Sequence, residues 1–268
     1  MPGPPFFHRR GDLVIREAPA DRVPVAVFEG RVPTPRERRQ ILRAGLGLHL
    51  VSVPREAAGL EFLRDFHGLT SLGIVGTGLD TRPIAAIGSL RELELTVPGA
   101  PETDLSSLPD LERYSGLLRG FETVLDAPAL ARASFSETWR GTLPKLPPSL
   151  TSLTLTGARN VSSIAADGPG PCLSELVIEG ARRFDLGSLR GMSDLRILSL
   201  ERIGLIRGAA TLAALPIREL GIVDCRGFDE IDPLARIADA EVTVVGPLGG
   251  ALRAVAERST ARWSFFRS

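Results

Sequence analysis

The sequence predicts an α/β solenoid, a stack of short coils that each add one strand to a single curved parallel sheet, with short irregular or helical return segments and capped ends. Two observations lead there: an aliphatic phrase, L-x-x-L-x-L, that recurs, and the near-constant interval between its copies. The phrase stands as Leu69-Thr70-Ser71-Leu72-Gly73-Ile74, as Leu90-Arg91-Glu92-Leu93-Glu94-Leu95 and as Leu150-Thr151-Ser152-Leu153-Thr154-Leu155; Leu173, Leu176, Ile178 and Leu195, Leu198, Leu200 repeat its spacing. Anchored on the middle aliphatic residue, the copies fall at Leu72, Leu93, Tyr114, Ala133, Leu153, Leu176, Leu198, Leu220 and Val242, at intervals of 21, 21, 19, 20, 23, 22, 22 and 22. Outward extension adds Leu48-x-Leu50, Val25-x-Val27 and Trp263-x-Phe265.

The spacing has a mechanical meaning. Side chains alternate along a strand, so the two leucines of L-x-L point inward and the residue between them faces the opposite side. Strands that return in the same direction every 19 to 24 residues pair in parallel, and only stacking covers their inward leucines. So short a period leaves little room for long helices. A return segment such as Leu205 to Leu215 is expected to be one or two helical turns, 3₁₀ or extended.

The segment Leu143-Pro144-Lys145-Leu146-Pro147-Pro148-Ser149-Leu150-Thr151-Ser152-Leu153-Thr154-Leu155 resembles the Pro-containing repeats of bacterial leucine-rich repeat proteins, and the resemblance covers about residues 60–245. It implies a leucine-rich repeat solenoid whose outward strand positions line a concave binding face. The family usually places Asn or Cys three residues past the second leucine of L-x-L. Here those positions hold Thr77, Pro98, Ala158, Ala181, Ile203, Cys225 and Pro247, so a continuous asparagine ladder is absent and degenerate repeats with irregular turns are expected.

The expected organisation is an N-terminal cap over residues 1–45, a solenoid over 46–247 and a C-terminal cap over 248–268. At the front, Thr34-Pro35-Arg36-Glu37 opens an N-capped helix that runs to Arg43. At the back, Ala251 to Arg258 forms a short amphipathic helix, and Trp263, Phe265 and Phe266 either cover the last coil or stand exposed as an anchor for a partner. Residues 100–147 are the weakest stretch, with strands expected over Tyr114–Leu117 and Ala133–Phe135.

Composition limits the functions. The 268 residues carry 32 basic and 32 acidic side chains, so no global charge favours nucleic acid or an anionic membrane. Nine arginines against five acids make residues 1–45 locally basic, which leaves nucleic-acid binding as a lesser alternative, without the interleaved aromatics that stack on bases. No apolar run approaches the roughly 20 residues of a membrane span, and the first residues lack the pattern of a secretory signal, so a cytoplasmic location is expected. Cys172 and Cys225 are too few for a disulfide framework or a zinc site and are expected as free, buried thiols. A single lysine, Lys145, among many arginines suggests a high-GC, bacterial coding bias.

No nucleophile elbow, phosphate loop, dinucleotide fingerprint or histidine metal pair occurs; His8, His49 and His67 are too sparse for a metal centre. No catalytic residue, cofactor or metal is therefore expected, and the chain is expected not to be an enzyme. The outward strand positions are mostly small, which leaves a groove open. Glu94 and Thr154 lie on it. Glu179 and Glu201 fall in one column with Asp224 one position beyond, which places three carboxylates together, and Arg159, Arg182 and Arg226, with Arg202 nearby, make a basic rim. These nine residues are the expected protein-binding surface. The expected function is a non-enzymatic protein-binding module, an immunity or antitoxin protein that neutralises a toxin or else an adaptor; the rival from another class is an unrecognised enzyme built on the carboxylates.

Overall fold

The computed structural model describes residues 7–53, 59–136, 141–165 and 172–267. The chain divides into two compact units, Met1–Leu130 and Ala131–Ser268. In the first, β1 (Phe7–Arg10) and β2 (Leu13–Arg16) form an antiparallel hairpin, and β2 pairs antiparallel with β3 (Val25–Glu29). After the helix α1 (Pro35–Arg43), strands β4 (Gly47–Val51), β5 (Ser71–Val75), β6 (Glu92–Thr96) and β7 (Arg113–Gly116) add one by one in parallel.

The second unit holds β8 (Arg132–Ser136), β9 (Gly141–Leu143), β10 (Ser152–Thr156), β11 (Val161–Ile164), β12 (Glu175–Glu179), β13 (Arg183–Asp185), β14 (Ile197–Glu201), β15 (Leu205–Arg207), β16 (Glu219–Val223), β17 (Glu241–Val245), the helix α2 (Gly249–Ala256) and β18 (Arg262–Phe266). Its main sheet runs β8-β10-β12-β14-β16-β17-β18, parallel throughout. Two narrower parallel pairs, β9 with β11 and β13 with β15, form on the return side of the coils.

Register is what the repeated phrase encodes. Leu48 lies opposite Leu72, Leu72 opposite Leu93, and Leu93 opposite Tyr114; in the second unit Ala133, Leu153, Leu176, Leu198, Leu220, Val242 and Trp263 follow one another in the same way. The anchors up to Val242 are buried. Their return segments close the core from the other side as 3₁₀ turns at Leu60–Asp65, Arg82–Ala86, Glu122–Asp126, Leu186–Leu189, Ala209–Ala214 and Asp232–Arg236. Three residues per turn put i and i+3 on one face, and the buried pairs Leu60/Leu63, Ile84/Ile87, Leu186/Leu189 and Leu234/Ile237 have that spacing.

Two sequence expectations shift. At β3 the inward residues are Ala26 and Phe28, opposite Leu48 and Leu50, not Val25 and Val27; the frame moves by one position. At β7, Gly116 takes φ +142 and the Leu117 amide donates to the Leu95 carbonyl, which turns Leu117 into the core instead of onto the outer face. Residues 137–140 of the weak stretch lie outside the described residues.

Other groups stand where an asparagine ladder was missed. Ala158, Ala181, Ile203 and Cys225 are simply buried. In the first unit, polar links between coils come from threonines: the buried Thr81 and Thr103 hydroxyls are 2.6 Å apart, and the hydroxyl of half-buried Thr123 donates to the Thr103 carbonyl (3.1 Å) while accepting the Leu105 amide (2.9 Å). A second device recurs just after the strands. Gly30 and Ser52 in the first unit, and Gly157, Gly180, Arg202, Asp224 and Gly246 in the second, all have φ between +49 and +96. The amides of Ser52, Gly180, Arg202 and Asp224 each donate to the last carbonyl of the following strand, at 2.8 to 2.9 Å.

Helices serve as return segments between β3 and β4 and between β17 and β18. Thr34 Oγ1 accepts the Glu37 amide and Glu37 Oε2 accepts the Thr34 amide (2.7 Å), a reciprocal cap that satisfies two free donors of α1. The Arg31 guanidinium grips the same carboxylate at 2.7 and 2.9 Å. This arginine, with the cap bonds, holds the Glu37 carboxyl down at about 2. At the other end α2 buries Leu252 and Val255, and Arg253 lies 5.1 Å above the Phe265 ring. Trp263 and Phe265 continue the core columns, half-covered, whereas Phe266 faces outward and is 59% exposed.

Two outcomes follow. A Cβ at residue 116 would overlap the Leu95 carbonyl at an unfavourable φ, so Gly116→Ala is expected to cost about 3 kcal/mol in denaturant unfolding, and Gly88→Ala, with open space around it, under about 0.5 kcal/mol. The Glu37 carboxyl is lowered from 4.5 to about 2, so its contribution is complete above pH 4.5 and lost as pH falls through 2. Because Arg31 is half-exposed, about 1–2 kcal/mol is expected, and Glu37→Gln should remove that part of the stability-against-pH curve.

Candidate functional site

In the second unit the outer face is built as columns. Ser134, Thr154, Val177, Ser199, Gly221, Thr243 and Ser264 occupy the strand centres in register and are small. One column on, Glu179 and Glu201 are direct cross-strand partners, followed by Val223 and Val245. Beyond them runs the left-handed column Gly157, Gly180, Arg202, Asp224 and Gly246.

The neighbourhood of Arg202 corrects the sequence reading. Its guanidinium does not sit on a separate basic rim; it is ion-paired to Glu179, one coil back. Ser199 Oγ donates to Glu201 Oε1 at 2.9 Å. Asp224 occupies the turn position that Arg202 fills in the preceding coil, so a paired arginine stands among the carboxylates of Glu179, Glu201 and Asp224. Among the described residues, Glu201 and Asp224 make no ion pair.

Arg159, Arg182 and Arg226 are exposed, two positions past the left-handed residue of their coils. The Arg182 amide donates to the Arg159 carbonyl (3.3 Å) and the Arg226 amide to the Ile203 carbonyl (2.9 Å), which stacks them along the turn edge with Gly204 between. None of the three makes an ion pair among the described residues.

In the first unit the corresponding centre column is Val27, His49, Gly73, Glu94 and Ser115. Glu94 is half-buried, and its column holds a residue that sequence reasoning set aside. His49 is 5% exposed, its ring lies flat against Gly73, and both ring nitrogens are buried without a hydrogen-bond partner. Burial, reinforced by the charge of Arg16 and opposed by Glu94, pushes its pKa below the usual histidine value. The phrase Leu48-His49-Leu50 carried the signal, because its middle residue must face outward. Nearby, Arg113 bridges Glu92 (2.6 Å) and Asp21 (2.9 Å) across 92 positions of sequence.

Chemistry-bearing groups are otherwise scarce. Among the described residues no group of three or more His, Cys, Asp or Glu could hold a metal ion, and no helix is long and apolar enough to cross a membrane. Both cysteines are free, but only Cys225 is buried; Cys172 is exposed, contrary to expectation. Cys225 Sγ donates to the Leu200 carbonyl at 3.2 Å, and burial pushes the thiol up.

One main-sheet strand per coil, inward residues in register and mostly leucine, and short 3₁₀ returns are the geometry of a leucine-rich repeat solenoid. No protein-family model matches the chain, and no curated protein matches its sequence. Among solved structures it is similar to an internalin (inlF) from Listeria monocytogenes, at 13% identity over 82% of this chain and 68% of that one with a TM-score of 0.41. It is also similar to an internalin C2 (inlC2) from the same species, at 16% identity over 80% and 79% with a TM-score of 0.29. The repeat assignment stands on strand register and not on these similarities.

At φ +51 a side chain is disfavoured and glycine is not. Arg202→Gly is therefore expected to equal or exceed the wild type in denaturant midpoint, while Arg202→Ala falls about 1 kcal/mol below Arg202→Gly.

Proposed function

We propose that this chain is a non-enzymatic protein-binding repeat module whose partner surface is the outer face of the second unit, centred on Glu179, Glu201, Arg202 and Asp224 and edged by Arg159, Arg182 and Arg226. One observation carries the reading. Arg202 is held in a left-handed turn where two of its three nearest counterparts in the column are glycine, and its charge is set on Glu179 at the surface. A strained position filled by a charged side chain, with no burial to reward it, is the kind of site that selection for binding retains. Small residues along the strand centres leave room for a partner to approach the backbone, and charges of both signs give orientation more than raw affinity. Thr154 extends the same outer positions.

Within that class we propose a cytoplasmic bacterial protein that neutralises a toxin by covering it; an adaptor makes the same demand on the surface, and the identity of the captured protein separates the two. Tagged full-length chain should retain a stoichiometric protein partner from its native cytoplasm. The double variant Glu179→Arg/Glu201→Arg should lower that retention about ten-fold or more while leaving the melting temperature within a few degrees. Retention unchanged by the double variant would remove this surface from the proposal, and turnover of a small substrate by the unaccompanied chain would overturn the class.

A further inference from the structure

The connection between β2 and β3 is longer than its geometry requires. Arg16 and Val25 are partners across the antiparallel pair, so a two-residue turn would join them. The chain uses eight residues, 17–24. The Arg22 amide folds back on the Pro19 carbonyl (2.9 Å), and the next residue towards the tip, Asp21, reaches β7, where Arg113 donates to its main-chain carbonyl at 3.0 Å and to its carboxylate at 2.9 Å. Strand β7 is four places from β3, a separation on the order of 19 Å at the usual strand spacing. Arg113 and Glu92 both point to the outer face, since their neighbours Tyr114 and Leu93 point to the core.

A chain that runs from β3 to β7 passes the outer face of β4 to β6, and on β4 and β5 outer positions are buried that are open elsewhere. Gly47, His49, Ser71 and Gly73 are buried on the outer face, whereas the matching Thr154, Val177 and Ser199 of the second unit are only half-buried. Burial there is not matched by hydrogen bonding, because both His49 nitrogens are unpartnered. An unsatisfied buried polar group is a standing cost that a better-matched occupant would relieve.

We propose that the outer face of β4 to β7 is a docking surface for an extended, carboxylate-bearing segment of a protein partner, and that residues 17–24 occupy it in cis as a tethered competitor. This rests on the protein-binding reading above. Arg113 is the shared anchor: it chelates the carbonyl and carboxylate of one aspartate, so it reads an acidic residue in an extended chain, and Glu92 holds its guanidinium in place. A partner segment gains over the cis segment by offering a hydrogen bond to His49, which Arg16 and Glu94 flank on either side.

The test uses the full chain with residues 17–24 replaced by Asn-Gly, and as probe a labelled synthetic peptide of the sequence of residues 17–24, titrated to millimolar concentration, the range in which a tethered segment competes. The shortened protein should bind the peptide at least ten-fold more tightly than wild type, and an asparagine in place of the peptide's aspartate should weaken binding about five-fold or more. Absence of binding, or equal binding of the asparagine peptide, overturns the proposal. Should the shortened protein not fold, Asp21→Ala serves: the His49 ring is expected to titrate closer to an ordinary histidine, with peptide affinity about five-fold above wild type, and no change in either overturns it. Failure here together with capture of a partner sensitive to Glu179→Arg/Glu201→Arg removes this surface and leaves the binding reading intact.

Discussion

Every other feature depends on the residue-for-residue alignment of parallel strands. A single coil exposes its inward leucines, and only a neighbour in the same register covers them, so the apolar term is collective. Leu153, Leu176, Leu198 and Leu220 form one unbroken row. A shift of one residue would send the whole row to the solvent side. Register is held fixed while coil length varies between 19 and 24, and the return segments absorb the variation. Return segments take a short 3₁₀ turn, a narrow strand pair such as β13 with β15, or both, and even the 19-residue interval from Tyr114 to Ala133 holds the turn Glu122–Asp126.

Much of this was legible in the sequence, because leucine spacing and strand alternation are the same information. The failures have local causes. At β3 four successive residues, Val25 to Phe28, are apolar, so alternation has no phase and the frame was misplaced by one. At β7 a glycine at φ +142 reverses the direction in which Leu117 points, a choice invisible to spacing. The absence of asparagines is visible in the sequence, but their replacement is not, because Thr81, Thr103 and Thr123 lie on the return side, outside the repeated leucine phrase.

The candidate surface was legible to the same degree. Cross-strand adjacency of Glu179 and Glu201 follows from the period alone. Pairing of Arg202 with Glu179 does not, since it depends on a left-handed backbone at a position where sequence offers an arginine. Nor does the bridge between Asp21 and Arg113, which joins groups with no periodic relation. Periodicity thus locates what repeats, and the side-chain detail of the candidate surfaces sits in what breaks the repeat. His49 makes the point: a buried, unpartnered imidazole occupies a column otherwise given to small residues, valine and one glutamate.

The turn after each strand also separates two jobs that a protein usually performs with the same residues. Its backbone amide is committed to the next coil, yet its side chain is free of the core, and the second unit fills that place with glycine, arginine or aspartate without disturbing the bonds of Gly180, Arg202 and Asp224. In the second unit that place therefore sets charge on the outer face at the cost of a left-handed backbone that glycine takes more easily. On the proposed partner surface, a change of charge at this place would alter what is recognised while the amide bond to the next coil stays where it is.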